Sequence, residues 1–383
     1  MLSRKRSVPS ISCGVMVFIL LCAFAPHASA AQTPGAQNYS AILHYISSAW
    51  STLTRSMTEC GTVHDPKLPG ASDLYFPSGF AIPPELRTLS HSCAVRLAHL
   101  PRAIHHLGGP PIQPAGLLYL PHAYVVPGGM FNEMYGWDSY FILLGLLEGG
   151  KLDLARGMTE NFFFEISHYG AVLNANRTYY LTRSQPPFLS EMARAVYEAE
   201  RARGRNGQAW LREAYPFIVR TEQFWTQPPN LAGATGLSRY FDFGEGPAPE
   251  LGKDSDMYYR HAASYFVSHP GAAAGYLVSD RRLQRPSGIL GPLFPVYICN
   301  PEGRPGGEAS GAPKGCEEVE KAGLTPSFYK GDRSLRESGF DITFKFGPFG
   351  NATNDYAALG LNCLLYREEE DLAWMSRELH KPA

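Results

Sequence analysis

From residue 133 onward one pattern recurs: a helix-length run with apolar residues every three or four positions, then a loop rich in aromatics, Gly and Pro. It constrains the fold more than any other feature, because apolar stripes at that spacing have to be buried against other helices. Glu133 to Glu148 is apolar nearly all round and stops at Gly149-Gly150, which predicts a buried helix with a glycine C-cap. Leu152 to Ser167 reads as a second helix. Pro187 to Arg203 opens on proline and sets Leu189, Met192, Val196 and Ala199 on one face. Gln208 to Trp225 is a further helix that Pro216 should kink. The last, from about Asn354 to Leu379, is expected to turn Leu359, Leu364 and Leu365 inward and Glu368-Glu369-Glu370 outward, as a solvated charge run. Strands with period-two alternation are scarce. The expectation is an all-α protein with its functional loops at one end of a helical array.

Residues 31–126 differ in texture. They are rich in Pro and Gly, with a helical stretch near Ala41 to Leu53, and read as an N-terminal wrapping arm on a main domain at 127–383. Ahead of the arm, residues 1–30 match an export signal: Arg4, Lys5 and Arg6, an apolar run from Val15 to Phe24, and Ala28-Ser29-Ala30 before the cut. The apolar run is too short for a bilayer anchor. The mature protein is therefore expected off the membrane, in the periplasm or outside the cell. There Cys60 should pair with Cys93 and Cys299 with Cys316, each bond closing a Pro-rich or Gly/Pro-rich stretch, with Cys363 left as a buried thiol. No cysteine pair has metal spacing and His105-His106 read as surface residues, so no metal is expected.

The 383 residues are 44% hydrophobic and 18% charged, with a net charge of -1. That supplies a large core but no electrostatic footprint for nucleic acid. The 21 Tyr, 21 Phe and 5 Trp suit a neutral, hydroxyl-rich ligand, whose C–H faces stack on aromatic rings.

Three blocks carry the chemistry. In Pro127 to Tyr140, PGGMFNEMYGWDSY, the two glycines permit a tight backbone path, Phe131, Tyr135 and Trp137 offer stacking faces, and Glu133 and Asp138 accept hydrogen bonds from hydroxyls. A helix start with packed aromatics would account for the same residues. The second block is Asn174 to Phe188, NANRTYYLTRSQPPF; Arg183 in it suits paired hydroxyls or a structural salt bridge. The third is Glu337-Ser338-Gly339-Phe340-Asp341, which alone reads as a turn.

In this order the blocks resemble the signatures of the trehalase family of inverting glycoside hydrolases, over about residues 115 to 380. The resemblance implies an α/α toroid of the six-hairpin glycosidase type. It implies that Phe131, Trp137, Asp138, Asn174, Arg183, Gln185 and Gly339 bind substrate and that Asp341 is the general acid. It further implies a disaccharide, α,α-trehalose, as the partner, no cofactor and a monomer. Two positions depart from the family: Met130 stands where an Arg is usual, and Ala248 replaces a second Arg in Pro247-Ala248-Pro249-Glu250. The family's catalytic base lies far downstream of its acid, whereas only Ile342 to Ala383 follows Asp341. The toroid is accordingly expected to be incomplete at its C-terminus, with impaired turnover. The alternatives are a hydrolase of another α-glucoside and a sugar-binding remnant without catalysis.

Overall fold

The computed structural model describes residues 34–65, 71–279, 292–299, 316–340 and 342–381. Residues 1–30, read above as a leader, and Asp341 lie outside them. The chain forms two compact units, one ending at Ile46 and one from Ser47 to Ala383. The described part of the first is the opening of helix α1 (Pro34–Leu53).

The second unit begins with short elements: β1 (Thr54–Arg55), α2 (Cys60–Val63), β2 (Ser72–Phe76), α3 (Pro84–Ser92), β3 (Val95–His99), β4 (Leu117–Leu118) and β5 (Tyr124–Val125). Helices α4 (Asp138–Glu148), α5 (Leu152–Tyr169), α6 (Leu189–Ala202) and α7 (Gly207–Thr226) follow. Then come α8 (Ser255–Ser268), β6 (Leu277–Ser279), β7 (Phe294–Cys299), β8 (Cys316–Leu324), α9 (Pro326–Glu337) and α10 (Leu359–Glu378). The sheets are small: β1 with β5, a parallel β3-β2-β4, and an antiparallel β6-β8-β7.

Local chemistry sets the helix ends. Asn206 caps α7 by accepting from the Ala209 N–H, and Thr325 caps α9 by accepting from Phe328, with Pro326 at the first turn. Gly170 ends α5 at φ 92°. Helices α4 to α7 and α10 pack on one another through the stripes the sequence predicts. Leu143, Phe162, Ile166, Met192, Val196, Leu211 and Ile218 form one buried cluster, which Leu74, Phe76 and Leu117 of the small sheets complete. Each such side chain contributes about 1.5–3 kcal/mol on leaving water. A second cluster joins α8 and α9 through Tyr259, Phe266, Phe328 and Tyr329.

The all-α expectation holds, with several local corrections. Helix α4 starts at Asp138 rather than Glu133, because Tyr135 is spent on a bridge to Ala175. It is not buried all round: Phe141 and Leu144 are exposed. Helix α7 does run through Pro216. Helix α10 starts at Leu359, after a short 3₁₀ turn at Thr353–Asp355. Its buried stripe is Leu361, Leu365, Glu368, Asp371 and Met375, because it packs on both α6 and α7. Leu359 is therefore outside, Glu368 inside, and Cys363 an exposed free thiol rather than a buried one. Cys60 and Cys93 form the expected disulfide, Cα to Cα 5.2 Å. Cys299 lies opposite Cys316 in the β7–β8 register, but the side chains of that expected pair fall outside the description.

Candidate functional site

The three blocks are laced together at the N-terminal end of α4. Trp137 caps that helix and donates its backbone N–H to Gln185 Oε1 at 2.9 Å. The Gly136 N–H donates to Asn174 O (3.1 Å), and the Asn174 N–H to Arg183 O (2.9 Å). The Asn174 side-chain amide reaches Ser184 O at 3.4 Å and Arg336 O, near the end of α9, at 3.5 Å. Gly339 closes the ring of contacts: φ is 72°, and a Cβ built there would lie 2.8 Å from the Trp137 indole. Phe131 meets Tyr135 edge-on with centroids 5.4 Å apart, and Tyr135 in turn meets Tyr180.

Beneath these residues lies a buried charge network. Arg183 is 2% exposed; Nη2 donates to Glu250 Oε1 at 2.5 Å, Nη1 stands 3.5 Å from Asp242, and the guanidinium lies over the Tyr180 ring. Burial alone would push the Glu250 carboxyl up, but Arg183 and Arg336 outweigh it and hold it below the usual carboxylate range. Arg336 also pairs with Asp332, which accepts from the hydroxyls of Tyr258 and Tyr259. Arg333 pairs with Asp242 and donates to Thr182 Oγ1. Glu337, fully buried, accepts from the N–H groups of Ser184 (3.0 Å) and Phe241 (2.5 Å). Burial, with the charge of Asp242, lifts its carboxyl to about 8. Arg183 Nε, Glu250 Oε2 and Asp242 Oδ2 are enclosed without a hydrogen-bond partner among the described residues.

The described members of the expected set, Phe131, Trp137, Asp138, Asn174, Arg183, Gln185 and Gly339, are thus gathered at one locus. Trp137, Phe131 and Asp138 are half-buried, whereas Asn174, Arg183 and Gln185 are buried. Burial raises the Asp138 carboxyl above its ordinary value. The cavity beside Gln185 holds about 20 Å³, room for a single water. A hollow of about 410 Å³, bounded by Tyr276, Pro326, Lys330 and Asp355, contains none of the expected residues. Met130 is 72% exposed, and Ala248 is buried with its N–H directed at the Tyr259 hydroxyl. Sequence reading missed Asp242, Asp332, Arg333 and Arg336. The signal available was Asp332, Arg333 and Arg336 within one stretch of helix, directly ahead of the third block. Among the described residues no group of three His, Cys, Asp or Glu could hold a metal ion, and no helix is long and apolar enough to cross a membrane.

Comparison with known proteins decides the family. Residues 82–289 match the family model described as Trehalase. The chain belongs to the trehalase family. It is similar to the cytosolic neutral trehalase of Kluyveromyces lactis, 39% identical over 67% of this chain and 29% of that protein. The cytosolic neutral trehalase of Saccharomyces cerevisiae is 37% identical over 67% of this chain and 29% of its own length. The chain therefore spans about 29% of the length of these curated trehalases. Among solved structures it resembles neutral trehalase Nth1 from Saccharomyces cerevisiae, with a TM-score of 0.64 and 30% identity over 89% of this chain and 60% of that one. That match carries the fold, the helical toroid of this glycosidase family. The relatives also correct one expectation: trehalases named cytosolic point to the cytoplasm, not to the periplasm or the extracellular space.

Proposed function

We propose that this chain supplies the glucose-binding and proton-donating part of an inverting α,α-trehalase. The observation that carries the reading is the lacing of three distant blocks, with Trp137 bonded to Gln185, Asn174 to the Arg336 carbonyl, and Gly339 seated against Trp137. In this reading Phe131 and Trp137 stack on the sugar, and Asp138, Asn174 and Gln185 exchange hydrogen bonds with its hydroxyls. Arg183 fixes the floor through Glu250 and meets the sugar where that pair opens. Gly339 keeps the backbone close to the ring, and Asp341 protonates the glycosidic oxygen. A second carboxylate activates water on the opposite face, as inversion requires. Residues 31–126 serve as an arm and 127–383 as the glycosidase domain, acting as a monomer on a disaccharide without a cofactor.

The test is calorimetric titration of the full chain with trehalose and with maltose, alongside glucose release followed by NMR. The expected result is binding of trehalose in preference to maltose. Any glucose released should appear first as α and β anomers in equal amounts, and release should vanish in Asp341→Asn. Equal or absent binding of the two sugars would sink the reading. Stronger binding of maltose would favour a second reading, another α-glucoside, for which Met130 in place of a charged donor is the supporting observation.

A further inference from the structure

The loop Gly128 to Asn132 is turned by the Phe131 N–H donating to Gly128 O at 3.0 Å, and its outer edge has no side chains to pack. Gly128 and Gly129 carry no side chain, and Met130 points into solvent. Its anchor comes from the arm. Arg55, in β1, donates Nη2 to Gly129 O at 3.1 Å and Nε to Phe131 O at 3.2 Å and to Asn132 Oδ1 at 3.4 Å. Its Nη1 is fixed on the arm's own carbonyls, Thr52 O (3.0 Å) and Thr54 O (3.1 Å). One planar fork thus ties two strands of chain together, and only guanidinium offers that many donors in fixed directions. A second tie runs beside it: the Asn132 amide donates to Thr62 O (3.0 Å) and His64 O (3.4 Å), around helix α2, which the Cys60–Cys93 disulfide begins. The Tyr124 hydroxyl, on the strand paired with Arg55, donates to Asn132 O at 2.6 Å.

We propose that Arg55 is a positioning residue for the sugar site: it braces residues 129–132 from outside the matched family region and so sets where Phe131 and Trp137 present their rings. The proposal rests on the reading of residues 128–138 as part of a sugar pocket. Arg55 itself touches no substrate. The arm is therefore a working part of the site, not only a cover for the core.

The experiment compares the wild-type full chain with Arg55→Ala and Arg55→Lys by amide hydrogen exchange of peptides spanning 127–134 and 152–226, and by calorimetric titration with trehalose. In both variants the 127–134 peptides should exchange about tenfold or more faster while those of α5 to α7 keep wild-type rates, and trehalose affinity should fall about tenfold. Lysine should fail to restore either, since it brings the charge without the fork. Unchanged loop exchange in Arg55→Ala overturns the proposal. So does a wild-type result in Arg55→Lys, and so does faster exchange throughout α5 to α7, which would make Arg55 a general stability residue. If the wild type binds no trehalose, the sugar-site reading falls and the loop exchange alone decides the brace.

Discussion

Two carboxylates, Glu250 and Glu368, are withdrawn from water and answer it in opposite ways. Glu250 meets two guanidiniums, Arg183 at 2.5 Å and Arg336 at 3.8 Å, and keeps its charge. Glu368 lies 1% exposed on the inner stripe of α10, and neither of its oxygens has a hydrogen-bond partner among the described residues. Burial drives its carboxyl well above the ordinary range, and Glu222, Asp371 and Glu369 push it the same way. One helical turn on, Asp371 is as deeply buried yet accepts from Ser190 (3.1 Å) and Arg194 (2.9 Å). What separates Glu250 from Glu368 is the neighbour: a carboxyl drawn out of water keeps its charge where guanidiniums stand beside it and is driven toward its neutral form where only other carboxylates do.

The sharpest way to break this comparison is Glu250→Ala. It leaves buried Arg183 with Asp242, 3.5 Å away, as its remaining carboxylate among the described residues, and the cost should be about 3 kcal/mol, read as a fall in the urea midpoint. A loss below about 1 kcal/mol would show that the pair is not a strut. The next test is the direction of the pH response. Glu250 is held below its ordinary value, so its contribution is present above about pH 4.5 and lost as pH falls through its folded value. Glu337 and Glu368 are raised, so theirs are full below about pH 4.5 and lost as pH rises, for Glu337 through about 8. Glu250→Gln should flatten the acid limb of a stability-against-pH curve, whereas Glu337→Gln should flatten the limb between about pH 4.5 and 8. The same limb affected by both would undo the contrast. Glu368→Gln should cost less than about 1 kcal/mol, since burial already disfavours the charged carboxylate and the amide is a neutral group of the same shape. The smallest expected effect is Met130→Arg: an exposed donor added beside the proposed pocket should tighten trehalose about fivefold by calorimetry, with the melting temperature unchanged.

Much of the scaffold was legible because helices announce themselves locally. The stripes of α5, α6 and α7 depend only on spacing within each segment, and the structure buries Leu189, Met192 and Val196 where spacing puts them. The three blocks were legible as motifs, and the contact between Trp137 and Gly339 joins residues that motif order alone had already grouped. What stayed hidden depends on partners far away in the chain. Glu368 sits in a run of three glutamates that reads as solvated, and only the packing of α10 on both α6 and α7 turns it inward. The fork of Arg183 looks the same in sequence whether it meets a sugar or Glu250, 67 positions away. Arg55 carries no motif, and its role depends on a loop 74 positions downstream.

The seat of Trp137 against Gly339 has a consequence for inheritance. Any side chain at 339 would have to displace the indole and also bear a φ of 72°, so position 339 is tied both to Trp137 and to its own backbone. In descendants of this chain that keep the tryptophan, the glycine should persist whatever sugar is used. A deep substitution scan read by folding should find position 339 intolerant, although Gly339 brings no side chain to the proposed site. Loss of the indole should remove only the steric part of the constraint: in a Trp137→Ala background, alanine at 339 should cost folding less than it does beside the tryptophan, with the cost of the positive φ remaining, as a survey of paired variants by protease resistance would show.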